Sequence, residues 1–178
     1  IIYFLFLSFL ISCDPIEDKG VTEVSKRTYS WKMVTAWPPN SPINQESVEQ
    51  FAKDVEIMSR GRMKIKVFAG GELVPPLQAF DAVSQGGVEM AHTASYYWAG
   101  KVPAAQFMTV VPFGLTHKGA WSWIYAGGGL ALWQELYEPF GIVPFPMGNT
   151  GIQMGGWFNK KINSLDDLKG LKIRMPGL

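Results

Sequence analysis

Between Ser30 and Thr93 the hydrophobic period switches repeatedly between that of a strand and that of a helix, with only a few residues at each switch, and this confines the chain to few architectures. Ser30 to Trp37 (SWKMVTAW) has a β-rich composition and is stopped by Pro38-Pro39, which cannot continue a ladder. From Ile43 to Ser59 the residues Val48, Phe51, Ala52, Val55 and Met58 recur at helical spacing, with Glu49, Lys53 and Glu56 on the other faces, until Gly61 closes the helix. Met63 to Ala69 then alternates Met63, Ile65 and Val67 against Lys64 and Lys66, the pattern of a half-buried strand. Leu77, Phe80 and Val83 indicate a short helix over Pro75 to Gln85, ended by Gly86-Gly87, and Val88 to Thr93 follows as a buried strand. A β-α-β-α-β order with short connections predicts an α/β fold with a parallel sheet covered by helices.

Beyond Thr93 the signals are weaker. Tyr96 to Pro112 has no clean period and reads as loop and short helix, and Gly119 to Tyr137 is apolar nearly all round, which predicts a buried helix carrying Trp121, Trp123 and Trp133 as core. Gly127-Gly128-Gly129 interrupts that helix as a break or tight packing point; it lacks the glycine and lysine spacing of a phosphate loop. Ile142 to Pro146, Ile152 to Phe158 and Leu171 to Met175 read as further strands, the last with Lys172 and Arg174 on one face. Ser164 is placed to cap a helical turn over Leu165 to Leu168 that ends at Gly170.

The amino terminus is of another kind. Ile1 to Ser12 is a 12-residue, almost wholly apolar run ending at Cys13. A helix across a hydrocarbon core of about 30 Å takes roughly 20 residues, so the run fits the apolar core of an export signal. Leu10-Ile11-Ser12-Cys13 is similar to a bacterial lipobox, in which Cys13 would be lipidated and Asp14 would favour retention at the inner membrane. A plain secretory signal and a truncated membrane anchor stay open beside it. Asp14 to Arg27 is charged and aperiodic, a flexible tether. The chain opens on Ile1 and stops at Gly177-Leu178 directly after a strand-like segment, as expected of a piece of a longer protein.

Composition excludes several functions. With 16 Lys+Arg against 15 Asp+Glu, the net charge of +1 leaves no broad cationic footprint for nucleic acid. A single Cys and two His permit no disulfide framework and no thiolate zinc site, and neither His92 nor His117 stands in a nucleophile or metal-ligand spacing, so structural or solvated roles are expected. Cys13 lies in the export segment and cannot serve as an active-site nucleophile, so no catalytic set is legible and the chain reads as a non-enzyme. Recognition is better supported. Tyr96-Tyr97-Trp98 follows a strand end and Trp157-Phe158 follows Gly155-Gly156, where open parallel sheets place ligands. Gln153 lies in an apolar run, where a buried amide must be hydrogen-bonded or coordinate something. Asn149 sits in a Gly-Asn-Thr-Gly turn that turn formation alone would explain, and Arg174, before Pro176-Gly177, could take a carboxylate in a bidentate fork or form an ordinary surface ion pair.

Three stretches carry a resemblance: Gly70-Gly71-Glu72-Leu73 with Pro75 to Val83, Ala94 to Pro103 (ASYYWAGKVP), and Gly148 to Phe158 (GNTGIQMGGWF) running on to Leu165-Asp166-Asp167-Leu168-Lys169-Gly170-Leu171-Lys172-Ile173-Arg174-Met175-Pro176-Gly177. Over Tyr29 to Leu178 the chain resembles roughly the first half of a solute receptor of the tripartite ATP-independent periplasmic (TRAP) transporters, the DctP family, in the branch resembling receptors for 2-oxo and 2-hydroxy monocarboxylates. The resemblance implies a two-lobed, class II-like periplasmic binding protein that closes over a small organic acid such as pyruvate or lactate and hands it to TRAP membrane permease subunits. It implies that Arg174 clamps the substrate carboxylate, that Tyr97 and Asn149 contact the acid, and that Gln153 helps hold a Na+ or Ca2+ ion bridging protein and substrate. Asn159 stands where the pattern has a basic residue after Trp-Phe, so no role passes to it. The expected organisation is a signal or lipobox over 1–13, a tether over 14–28, a first lobe over 29–150 and an inter-lobe strand with the start of a second lobe over 151–178. The expected location is periplasmic, anchored to the inner membrane through Cys13, with a homodimer of the full-length protein left open. The rivals are a receptor for another organic anion such as a dicarboxylate or amino acid, a ligand-sensing domain of a signalling protein, and a secreted hydrolase.

Overall fold

The computed structural model describes residues 27–109, 111–151, 153–154 and 156–174. The expected export segment and tether, Cys13 included, lie outside the described residues apart from 27 and 28. Three parallel strands form the sheet: β1 (Tyr29–Thr35), β2 (Met63–Phe68) and β3 (Met90–His92), in the order β2-β1-β3. Helix α1 (Asn44–Met58) joins β1 to β2, and α2 (Ala79–Ser84), entered through a 3₁₀ turn at Pro76–Gln78, joins β2 to β3. Gly61, at φ 75°, closes α1 by donating to the Glu56 carbonyl at 2.8 Å.

The strand order dictates where the helices go. The first crossover moves outward from β1 to β2 and the second moves back past β1 to β3, so two right-handed crossovers put α1 and α2 on opposite faces of the sheet. Alternation along β1 agrees: buried Thr35 donates to Gln45 of α1 at 2.7 Å on one face, while Val34 joins Ala79 and Phe80 of α2 in the core on the other. That core also holds Val88, Trp98, Val102, Ala105, Trp133 and Tyr137. Phe80 is its centre, with Trp98, Tyr137 and Phe140 ring centroids at 5.4, 5.6 and 5.2 Å. Burial of one such side chain contributes about 1.5–3 kcal/mol before these ring contacts are counted.

Several expectations fail. Val88 to Thr93 yields only the three-residue, half-buried β3. The expected helix over Gly119 to Tyr137 is two helices, α3 (His117–Ala126) and α4 (Gly129–Tyr137). Gly128 adopts φ 85°, and a Cβ on Gly127 or Gly129 would come within 3.0 or 2.8 Å of Trp123, so the glycines break the helix and let the two halves pack closely. Trp133 is core as expected, but α3 has no buried residue: Trp121 and Trp123 are half-buried, and Trp121 stacks on exposed Tyr125 at 5.3 Å. Ile142 to Pro146 is not a strand, nor are the described residues of Ile152 to Phe158 and of Leu171 to Met175. Their composition suits a ladder, but among the described residues none has a neighbouring strand to bond with, and an extended segment is a strand only when paired. The turn over Leu165–Leu168 forms as read, with the Asp167 carboxylate accepting from the Asn163 and Ser164 amides at 3.0 Å each, which holds it below the usual carboxylate range.

Candidate functional site

The connections leave β1 and arrive at β3 on opposite sides of the sheet, so the carboxyl ends of β1 and β3 flank the crevice where open α/β sheets take ligands. Three aromatic groups gather there. The Ala36 amide donates to the His92 carbonyl at 3.1 Å, which brings Trp37 level with the end of β3, and the Trp37 indole donates to Nδ1 of His92 at 3.0 Å. An indole N–H only donates, so Nδ1 carries no proton, and burial pushes the His92 pKa down to about 4. The structural role expected of His92 is therefore this bond. After β3 the 3₁₀ turn Ser95–Trp98 buries Trp98 against Phe80 and lifts Tyr96 and Tyr97 to the crevice. Tyr97 lies 5.9 Å from the Trp37 ring and meets Tyr96 edge-on at 4.7 Å.

Arg174 reaches the same place from the far end of the described chain. Burial and the neighbouring Tyr96 push the Tyr97 phenol up to about 12, and the Arg174 guanidinium facing it pulls in the opposite direction. The phenol therefore stays protonated and can donate to an anion. Arg174 also lines an open cavity of about 850 Å³ together with Gln153, Trp157, Phe158, Asn159 and Lys172. Glycine explains how the two segments meet: a Cβ on Gly156 would lie 2.9 Å from the Phe158 ring and 3.3 Å from Ile173.

Arg174 thus faces Tyr97 and shares a cavity with Gln153. Gln153 is exposed rather than buried, donating to the Thr150 hydroxyl at 2.6 Å. Asn149 is not among the residues lining that cavity; its side-chain oxygen accepts from the Gly151 amide at 2.6 Å, the turn-forming role. Sequence reasoning overlooked Lys172, a second cation on the cavity, although its spacing of two from Arg174 already put both on one face. It also overlooked Trp37, whose signal is only its place at a strand end before Pro38-Pro39. His117 accepts from Trp121 on the surface of α3 and stands apart from this group.

A hard cation such as Na+ or Ca2+ needs several oxygen ligands. The Gln153 carboxamide oxygen is chemically suited as one of them, but no cluster of three or more His, Cys, Asp or Glu occurs among the described residues, so these residues supply part of a coordination shell at most.

Residues 33–177 match the family of bacterial extracellular solute-binding proteins designated family 7, DctP. The chain is 50% identical over 171 residues to the monocarboxylate 2-oxoacid-binding periplasmic protein of Nostoc sp., covering 95% of this chain and 46% of that protein. Among solved structures, a TRAP periplasmic solute-binding protein of Pseudoalteromonas atlantica with bound sodium and pyruvate superposes with a TM-score of 0.82 at 46% identity, over 85% of this chain and 46% of that one. The corresponding protein of Colwellia psychrerythraea, with bound calcium and pyruvate, gives the same TM-score, identity and coverage. A TRAP solute-binding protein of Bordetella bronchiseptica with copurified calcium and picolinate matches at 42% identity and a TM-score of 0.82, over 85% of this chain and 45% of that one. The chain therefore spans less than half the length of the relatives it matches.

Proposed function

The chain belongs to the DctP family of bacterial extracellular solute-binding proteins, and on that premise we propose that this protein is the solute receptor of a TRAP transporter, binding a small 2-oxo or 2-hydroxy monocarboxylate and delivering it to membrane permease subunits. The family is one of receptors rather than enzymes and supports a periplasmic location. The reading rests on one observation above the rest: a guanidinium that faces a protonated phenol beyond the carboxyl edge of the parallel sheet and itself lines a cavity with an amide and a second cation.

The chemistry follows from the size of the substrate. A three-carbon acid offers few atoms, and micromolar binding requires about 8 kcal/mol, which scattered contacts cannot supply. Arg174 would hold the carboxylate through two parallel N–H bonds, Tyr97 would donate its hydroxyl to a substrate oxygen, and Lys172 would add positive potential along the approach. Asn149 would contact the acid if its turn opens on binding, and Gln153 would contribute an oxygen to a Na+ or Ca2+ ion bridging substrate and protein. Such an ion would neutralise carboxylate charge. The pyruvate bound with sodium or calcium in the relatives supports both the substrate class and the cation. Closure of a second lobe over a first lobe of 29–150 would exclude water and strengthen each charged contact.

Calorimetric titration of the full-length protein with pyruvate, lactate, 2-oxobutyrate, succinate and glutamate tests the reading, before and after dialysis against a chelator. Preference for a 2-oxo or 2-hydroxy monocarboxylate is expected; preference for succinate or glutamate would replace it with the other-anion reading. Anchoring through a lipidated Cys13 is part of the proposal, and fatty-acid labelling of cells is expected to mark the protein but not Cys13→Ser.

A further inference from the structure

We propose that His92 is a positioning residue for the acid site: by accepting the Trp37 indole N–H it fixes the ring that backs Tyr97, and so sets the phenol that faces Arg174. The inference rests on the reading of this crevice as the solute site.

Everything about Trp37 except its ring is fixed by the fold. Its carbonyl accepts from the Gly70 amide at 2.7 Å, and its amide donates at 3.3 Å to the Thr35 hydroxyl, itself bonded to Gln45. The approach at Gly70 is close enough that a Cβ there would stand 3.0 Å from the Trp37 carbonyl oxygen. The side chain still has its rotamers, and the bond to His92 at 3.0 Å selects one of them. In that rotamer the indole is tilted 51° to Tyr97 with centroids 5.9 Å apart, and 58° to the imidazole at 6.1 Å. Core packing does not account for this arrangement. Trp98 and Trp133 are buried to 3% and 9% exposure, whereas Trp37 is left half-buried at the crevice with its N–H turned inward.

The choice of histidine as acceptor also fits an anion site. Asp or Glu would accept the indole N–H equally well but would set a negative charge beside Tyr97, competing with the substrate for Arg174. Lys and Arg cannot accept at all. An imidazole kept neutral by burial accepts the bond and adds no charge.

A double-mutant cycle in the full-length protein, read as pyruvate affinity by calorimetry, tests the link. His92→Phe and Trp37→Phe are each expected to weaken binding about fivefold, the worth of one neutral hydrogen bond. The double variant should be no weaker than the weaker single, because both changes break one connection. His92→Gln restores a neutral acceptor and should recover affinity to within about twofold of the parent. In a Tyr97→Phe background, which lacks the hydroxyl being positioned, His92→Phe should have no further effect. Melting temperatures of the ligand-free variants separate positioning from fold maintenance: a His92→Gln variant that regains stability but not affinity would refute the inference. So would additive losses in the cycle, or unchanged affinity in His92→Phe. A parent protein that binds pyruvate while its variants give any of those three results overturns this inference alone; a parent that binds none of the acids overturns the solute-site reading, and this inference with it.

Discussion

Replacing Arg174 by lysine keeps the charge of the cavity and removes only the geometry of the guanidinium, so its effect isolates what the fork contributes. Arg174 faces the Tyr97 phenol while lining the open cavity with Gln153 and Lys172, so its planar head has a neutral donor nearby and access to the cavity. Two parallel N–H bonds to one carboxylate are available to it; a lysine ammonium offers a single point of contact and a more strongly hydrated charge. A hydrogen bond to a charged group is worth about 1.5–3 kcal/mol net, and the ammonium recovers part of it. The expected loss is therefore at least about 1.4 kcal/mol, a tenfold weakening. Arg174→Met removes the charge as well and should weaken binding by a further tenfold or more, since Lys172 alone then attracts the anion. Calorimetry on the full-length protein with pyruvate reads both variants, at low and at physiological ionic strength. The Debye length is about 8 Å at the higher of these, so a deficit that vanished there would mark long-range attraction rather than a direct clamp. The reasoning is refuted if Arg174→Lys binds within twofold of the parent, or if Lys172→Met loses as much as Arg174→Met.

Other parts of the fold give equally direct expectations. The folded-state pKa of His92 is lowered from 6.5 to about 4, so the unfolded chain binds more protons between those values; the contribution is complete above pH 6.5 and is lost as pH falls toward 4. The loss should approach about 3 kcal/mol at the acid end, measured as the difference in denaturant stability between the full-length protein and His92→Gln across that window. At the break between α3 and α4, Gly128→Ala meets no atom within 4 Å but must hold φ 85°, which should cost about 1–2 kcal/mol, whereas Gly129→Ala has no such backbone strain but must displace the Trp123 ring 2.8 Å away, an overpacking cost of about 1–3 kcal/mol or more. Denaturation of the two variants should rank Gly129→Ala as the less stable, and the reverse order would mean that the Trp123 ring yields without cost.

What was legible in the sequence is what local periodicity and punctuation determine. The interiors of β1, α1, β2 and α2 could be read because apolar spacing and the stops at Pro38-Pro39, Gly61 and Gly86-Gly87 act within a few residues. The strands expected near Ile142, Ile152 and Leu171 fail for the complementary reason: composition states what a segment would do beside a free sheet edge, and none of these has one among the described residues. Aromatic content misled in the same way at α3, where Trp121 and Tyr125 satisfy each other by stacking at the surface instead of entering the core. The site was half legible. Arg174 was marked as a candidate by residue type, Gln153 by an apolar setting that proves to be exposed, and Tyr97 as part of an aromatic run from which only the family resemblance singled it out, while the bond from Trp37 to His92 depends on the pairing of β1 with β3, in which Thr35 stands opposite His92. A slip of one residue in that pairing would turn the His92 side chain to the other face of the sheet, away from Trp37. The pairing is carried by a strand of three residues, too short to write a period. It is pinned instead from outside the strand, by Val88 in the core before it and by Trp98 against Phe80 after it. Sequence reading could find groups of this candidate site but not the contact between Trp37 and His92, because that contact is decided by packing on either side of the shortest strand in the sheet.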